Sequence, residues 1–213
     1  MLKKIIFSIA ILVLSAQLSV AQNNPQAEKI LTDLLVMAKT NAIKTNFKLI
    51  ATDKNNLQGL ASSGVFTLKG AKFVLEMSDM KVWFDGKTQW AWVEQNNEVS
   101  ITEPSEKELA ETNPMAILSG FKSKCTIKFS AKAKSAQNYC IEMLPKAGSK
   151  DIIKIEVQVN KASGGLSSIK LSNKNGTSSL LVLSNFKKGI AAADNIFVFN
   201  AAKHKGVSVN DLR

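Results

Sequence analysis

The sequence predicts an α+β protein, mainly β: an unclosed antiparallel β-barrel of about eleven strands with an α-helical lid. Three observations carry that expectation. Short runs of alternating apolar and polar residues, broken by turn residues, recur from Thr45 to Phe186. A single amphipathic helix precedes them. Two short helical stretches, each opened by a proline, interrupt them between Glu103 and Phe121, where a sheet has no need of helices. An antiparallel sheet of this many strands curls, and a curled sheet needs its interior filled or capped.

The chain starts with Lys3 and Lys4, then an apolar run from Ile5 to Leu14, then Ser19-Val20-Ala21 before Gln22. That order is the layout of a secretory signal peptide cleaved after Ala21. The apolar run is too short for a transmembrane helix. No cysteine follows the cleavage point to carry a lipid anchor, so export to the periplasm of a bacterial envelope is expected. The product, residues 22–213, reads as one domain, since no repeat or low-complexity linker divides it. Of the 28 basic residues, losing Lys3 and Lys4 leaves 26 against 17 acidic, a formal charge of +9. The lysines are scattered singly along strands rather than striped on a helix, so a solvated surface tolerant of anionic headgroups is expected and no nucleic-acid partner.

Asn24-Pro25 opens the first helix, with Asn as cap and Pro in its first turn. Ala27, Ile30, Leu31, Leu34, Leu35 and Ala38 then recur at helical spacing, which predicts a helix over 25–42. Strands are expected over 45–52, 64–68 and 72–77, with Asp53-Lys54-Asn55-Asn56 and Lys69-Gly70 as turns. Lys81 to Ile101 holds all three tryptophans and is cut by Asp85-Gly86 and Gln95-Asn96-Asn97 into three more strands. Pro104 begins a polar helix and Asn113-Pro114 caps an apolar one, Met115-Ala116-Ile117-Leu118. Five further strands are expected over 125–130, 139–144, 152–159, 165–171 and 177–186.

Little here can do covalent chemistry. The carboxylates are scattered, and no nucleophile elbow, phosphate-binding glycine loop or Cys-x-x-Cys occurs, so no catalytic residue and no enzyme activity are expected. His204 is the only histidine, which leaves no multi-histidine metal site, and between two lysines it reads as a solvated surface residue. Asn175-Gly176-Thr177 matches a glycosylation sequon, a three-residue signal of little weight. Cys125 and Cys140, the only cysteines, fall on consecutive expected strands; in an oxidising compartment they are expected to form a disulfide, the alternative being two reduced core thiols.

Several stretches together resemble the periplasmic outer-membrane lipoprotein carrier family, LolA. They are Gly64-x-Phe66-x-Leu68-Lys69 followed by Phe73, Asp85-Gly86-Lys87-Thr88-x-Trp90 with Glu94 to Val99 behind it, and Asn113-Pro114-Met115. Glu142-x-Leu144-Pro145-Lys146, Ile169-x-Leu171 and the tail from Lys205 to Arg213 complete the set. The resemblance implies an apolar cavity under the lid and a periplasmic chaperone function. Such a carrier takes the acyl chains of a lipoprotein cargo from an inner-membrane lipoprotein-releasing transporter, shields them from water and passes them to an outer-membrane acceptor. Where the family has an Arg-Pro whose arginine fastens the lid, this chain has Gly70 and Ala71, so a lid held by that arginine is not expected.

The lipid-binding surface is expected to draw Phe47, Phe73, Leu75, Trp90 and Trp92 from the sheet and Leu34, Met115, Ile117 and Leu118 from the lid. These aromatic strand faces and apolar helix faces have no other large surface to cover in a one-domain monomer. Two alternatives use the same fold: a sensor or scaffold that binds lipid or lipoprotein without transporting it, and a structural envelope protein whose aromatic face is simply core.

Overall fold

The computed structural model describes residues 23–59, 61–105, 108–109, 113–146 and 151–213. The leader, residues 1–21, and parts of the expected polar helix, residues 106–107 and 110–112, lie outside that set. Helix α1 (Pro25–Thr40) opens as the sequence predicts: the Asn24 side chain accepts the Ala27 N–H at 3.0 Å. It ends two residues earlier than expected, because Asn41 turns extended and its side chain donates to the Met37 carbonyl at 3.1 Å. Ala42 and Ile43 are thereby released to open the first strand.

Among the described residues twelve strands follow, in one sheet: β1 (Ala42–Thr52), β2 (Ser62–Lys69), β3 (Lys72–Met77), β4 (Met80–Phe84), β5 (Gln89–Val93) and β6 (Glu98–Thr102), then β7 (Cys125–Phe129), β8 (Asn138–Pro145), β9 (Ile152–Asn160), β10 (Leu166–Asn173), β11 (Ser178–Lys188) and β12 (Ser208–Asp211). Helix α2 (Pro114–Lys122) separates the two meanders. The strand order is β12-β6-β5-β4-β3-β2-β1-β11-β10-β9-β8-β7, so β1 pairs with β11 to join the halves, and the sheet is not closed. The twelfth strand, absent from the sequence expectation, runs parallel to β6. Its four residues are all exposed, so no alternation marks it.

Where β1 meets β11 the register slips between Lys44 and Asn46, and the buried Thr45 hydroxyl donates to the Ser184 carbonyl at 2.8 Å. A bulge of this kind bends a strand and raises its twist, which a curling sheet requires at its middle. Gly64 lets β2 and β3 approach closely: a Cβ there would sit 1.9 Å from the Glu76 carbonyl oxygen and 2.9 Å from the Phe47 ring.

The concave face is the core. Ala27, Leu31 and Leu34 of α1 and Leu118 of α2 pack on Ile127, Ile141, Met143, Ile155, Val157 and Ile169. Ala38 continues onto Phe47, Phe66, Phe73, Val82 and Phe84. At its N-terminal end α1 is also stitched to the β7 edge, Asn24 N–H donating to Ile127 O at 2.7 Å and Ile127 N–H to Asn23 Oδ1 at 2.9 Å. No helix among the described residues is long and apolar enough to cross a membrane.

The expected disulfide does not form. Cys125 is paired with Pro145, five residues along β8 from Cys140, a separation of about 17 Å at the usual strand rise, against the roughly 7 Å limit between bridged Cα atoms. The two also point to opposite faces, Cys125 inward with Ile127, and Cys140 between the inward Tyr139 and Ile141. Both are buried free thiols. Burial pushes the Cys125 thiol pKa up, the nearby Lys146 pulling it down by less.

Candidate functional site: an apolar crevice under the lid

Between the lid and the sheet lies a crevice lined by Leu34, Ile43, Phe66, Leu68, Pro114, Met115, Leu166, Leu183 and Phe186. It encloses about 320 Å³ of space not filled by atoms, part of it continuous with solvent. That figure counts open solvent; the closed crevice has room for little more than a water molecule, so it is a seam between lid and sheet rather than a formed ligand pocket. Every described lining residue is apolar, and none of them can orient a polar substrate or move a proton. Among the described residues no cluster of His, Cys, Asp or Glu is placed to hold a metal ion.

The lid borders the crevice through residues set by local chemistry. The Asn113 side chain accepts the Met115 N–H at 2.9 Å, fixing the first turn of α2. Pro114 and Met115 then face the crevice while Leu118, one turn on, is 1% exposed in the core. Lys122 of α2 stands 3.8 Å from Glu28 of α1. Gly70 stands in a turn at φ 61°, close under the end of α1, where an added Cβ would lie 3.8 Å from Lys39 O.

Of the expected lipid-binding residues, Leu34 and Met115 line the crevice. Phe47 and Phe73 lie on the same concave face, the Phe73 ring stacked between Phe66 at 5.7 Å and Phe84 at 5.3 Å, with Leu75 half-buried beside them. Ile117 is half-buried against the α1 side of the core, and Leu118 is fully inside it. Trp90 and Trp92 are not brought to this site. Trp90 is the antiparallel partner of Trp83, and the alternation that sends Val82, Phe84 and Ala91 inward sends all three tryptophans to the outer face. They share a face with one another, as their spacing requires, but it is the opposite one.

That outer face is covered by residues 190–207. Phe197 is fully buried against Val74 and Trp83. His204, expected in solvent, is half-buried among rings: 4.7 Å from Trp92, 4.7 Å from Phe199 and 5.8 Å from Trp83. Its Nδ1 lies 3.1 Å from the Asn200 carbonyl, which can only accept, so Nδ1 is the donor. Trp92 Nε1 donates to Asn97 Oδ1 and the Asn97 amide to Lys205 O, at 3.1 and 3.0 Å. Asp194 lies 2.8 Å from both Lys69 and Lys72. Hydrogen bonds from these two ammonium groups hold the Asp194 pKa down at about 2.

Sequence reasoning missed Ile43, Phe66, Leu68, Pro114, Leu166, Leu183 and Phe186. Leu183 and Phe186 share a face although they are three residues apart because the bulge at Asn185, φ 53°, adds a residue to β11 between them, and no sequence signal marks it.

No curated protein matches the sequence. Among solved structures, an uncharacterized conserved protein from Thermus thermophilus has the same fold, with a TM-score of 0.54 at 10% identity over 87% of this chain and 99% of that one. A LolA superfamily protein from Nitrosomonas europaea follows with 0.41, 11% identity, and 81% and 97% covered. LprF from Mycobacterium bovis gives 0.44, 11% identity, and 81% and 97% covered. The family described as outer membrane lipoprotein carrier protein LolA matches residues 18–175, most of the chain, and this protein belongs to that family.

Proposed function

We propose that this protein is a periplasmic carrier that binds the acyl chains of lipoproteins in the crevice under its lid and delivers them toward the outer membrane. The observation that carries the proposal is the all-apolar crevice between two helices and the concave face of an unclosed sheet. Family membership supports it. On this reading the donor is an inner-membrane lipoprotein-releasing transporter and the acceptor an outer-membrane protein.

The physics follows from the lining. Each methylene moved from water into the crevice contributes about 0.8 kcal/mol, so one acyl chain supplies ample affinity without a polar contact. In its closed form the crevice has no room for an acyl chain. Binding therefore requires the lid to lift and the crevice to widen. The lid is built to do so: the backbone hydrogen bond from Asn24 anchors α1 at its N-terminal end, while Pro114 and Met115 meet the sheet through apolar contact alone in the crevice. Met115, an unbranched thioether, repacks at low cost when the contact changes. Among the described residues no acid, base or nucleophile lines the crevice.

The test is mass spectrometry of solvent extracts from protein purified out of its native envelope, followed by titration with an acylated peptide and its unacylated twin. Co-purifying acyl lipid and binding of the acylated peptide alone are expected. Absence of both would leave the crevice as a packing defect in a structural barrel.

A further inference from the structure

Four adjacent strands in the middle of the sheet, in the order β2-β1-β11-β10, carry Lys44, Lys48, Lys69, Lys170, Lys187 and Lys188 and no aspartate or glutamate, while the flanking β3 and β9 carry Glu76 and Glu156. Ile43, Phe47 and Ile169 point into the core, so alternation sends Lys44, Lys48 and Lys170 to the outer face, and Lys187 joins them as the partner of Lys44. All four are exposed, and residues 190–207 cover the neighbouring half of that face, not this one.

Two lysine pairs on the outer face stand directly opposite each other on adjacent antiparallel strands, an arrangement that costs stability. Lys69 and Lys72 are bridged by the Asp194 carboxylate at 2.8 Å to each. Lys44 and Lys187 have no such carboxylate among the described ion pairs. Apolar side chains lie beside them: Val182, 38% exposed, is the partner of Lys48, and Leu180 the β11 partner of Lys170, whose β9 partner is Glu156, itself paired with Lys154.

We propose that this outer face docks on the surface of an anionic bilayer, a lipid phosphate taking between Lys44 and Lys187 the place that Asp194 takes between Lys69 and Lys72. The chemistry of the patch points to headgroups rather than to a protein partner. Centres of protein interfaces are rich in arginine and aromatic rings and poor in lysine. Here the charges are all lysine, the single arginine of the chain is Arg213, and the outward positions of β1, β11 and β10 hold no aromatic residue. Lysines on flexible stems spread over about 13 Å of β1 suit a diffuse negative surface, each adding about fivefold to the partition. Docked this way, the protein keeps its crevice turned away from the bilayer, toward whatever delivers or receives cargo.

The experiment is co-sedimentation of residues 22–213 with vesicles of phosphatidylcholine, with and without one-third phosphatidylglycerol, at low and high salt. Binding only to the anionic vesicles, lost at high salt, is expected. Lys44→Glu with Lys187→Glu should lower partition at least about 25-fold, two lysines at about fivefold each. The same charge change made by Lys132→Glu with Lys134→Glu, in the exposed β7–β8 loop, should lower it less than about fivefold. Lys44→Glu alone should also weaken binding while leaving the thermal midpoint unchanged or raised, since it removes a like-charge pair, so loss of fold does not account for the result. The proposal is overturned by equal losses in the two double variants, by no binding to anionic vesicles, or by tighter association with duplex DNA than with vesicles.

Discussion

Met115 and Leu118 lie on the same helix, three residues apart, and their truncation separates a crevice from a core. Leu118 is 1% exposed and packed among the α1 and β-sheet side chains. Leu118→Ala removes three carbons at about 0.8 kcal/mol each and leaves a hole, about 3 to 4 kcal/mol in all. At about 2 to 4 °C per kcal/mol for a domain of this size, the thermal midpoint should fall by roughly 6 to 16 °C. Met115 is half-buried and borders space that is already there. Met115→Ala therefore opens no new hole and should cost about 1 kcal/mol, a shift of roughly 2 to 4 °C. Affinity for an acylated peptide should respond in the reverse order. Met115→Ala should lose about five- to tenfold through the contact it makes with the chain, and Leu118→Ala, measured well below its own midpoint, should lose less. Calorimetry for stability and fluorescence titration with an acylated peptide give the two numbers. Equal destabilisation by the two substitutions, with no change in acyl affinity from Met115→Ala, would refute the assignment of the crevice as the binding site.

Other outcomes follow from single contacts. Thiol titration under denaturing, non-reducing conditions should find two free thiols, and the native protein should react slowly at neutral pH because Cys125 and Cys140 are buried and the Cys125 pKa is raised. Gly64→Ala should destabilise by roughly 3 kcal/mol or more, read from a denaturant midpoint, because the new Cβ meets a backbone carbonyl at 1.9 Å. Asp194 has a folded-state pKa near 2 against an ordinary 3.8, so its hold on Lys69 and Lys72 is complete above about pH 4 and is lost as the pH falls through about 2. Tryptophan fluorescence, with Trp83 beneath residues 190–207, should report that loss, and Asp194→Asn should abolish the low-pH step.

The fold was legible because its signals are local. Asn24-Pro25 and Asn113-Pro114 are helix starts that need no tertiary context, and Asp85-Gly86 and Lys69-Gly70 are turns wherever they occur. What was not legible depends on long-range pairing. A period of two shows that Trp90 and Trp92 share a face but not which one, since that is decided by whether Val82 and Phe84 or Trp83 meets the helices. Ile43 and Leu183 enter the crevice only because β1 and β11, far apart in sequence, become neighbours at the middle of the sheet. Cys125 and Cys140 were placed on the correct two strands, yet the hairpin register puts them five residues out of step. His204 looked solvated between lysines because nothing local reveals that residues 190–207 fold back over the tryptophans.

An unclosed sheet has two rims, and each is a template on which a second molecule could add a strand. One rim, β7, is occupied where Asn23 and Asn24 hydrogen-bond Ile127. The other is β12 (Ser208–Asp211), a parallel strand that covers β6 and leaves only its own four-residue edge open. The segment that leads to β12 is pinned by Asp194 and by the Asn97 bond to Lys205 O. Acid that protonates Asp194 loosens the cover of β6, and Glu98–Thr102 then presents open amides and carbonyls to other molecules. Polymerisation at low pH should accordingly rise steeply with protein concentration and start from this rim, and the same solution held above about pH 4 should stay free of it.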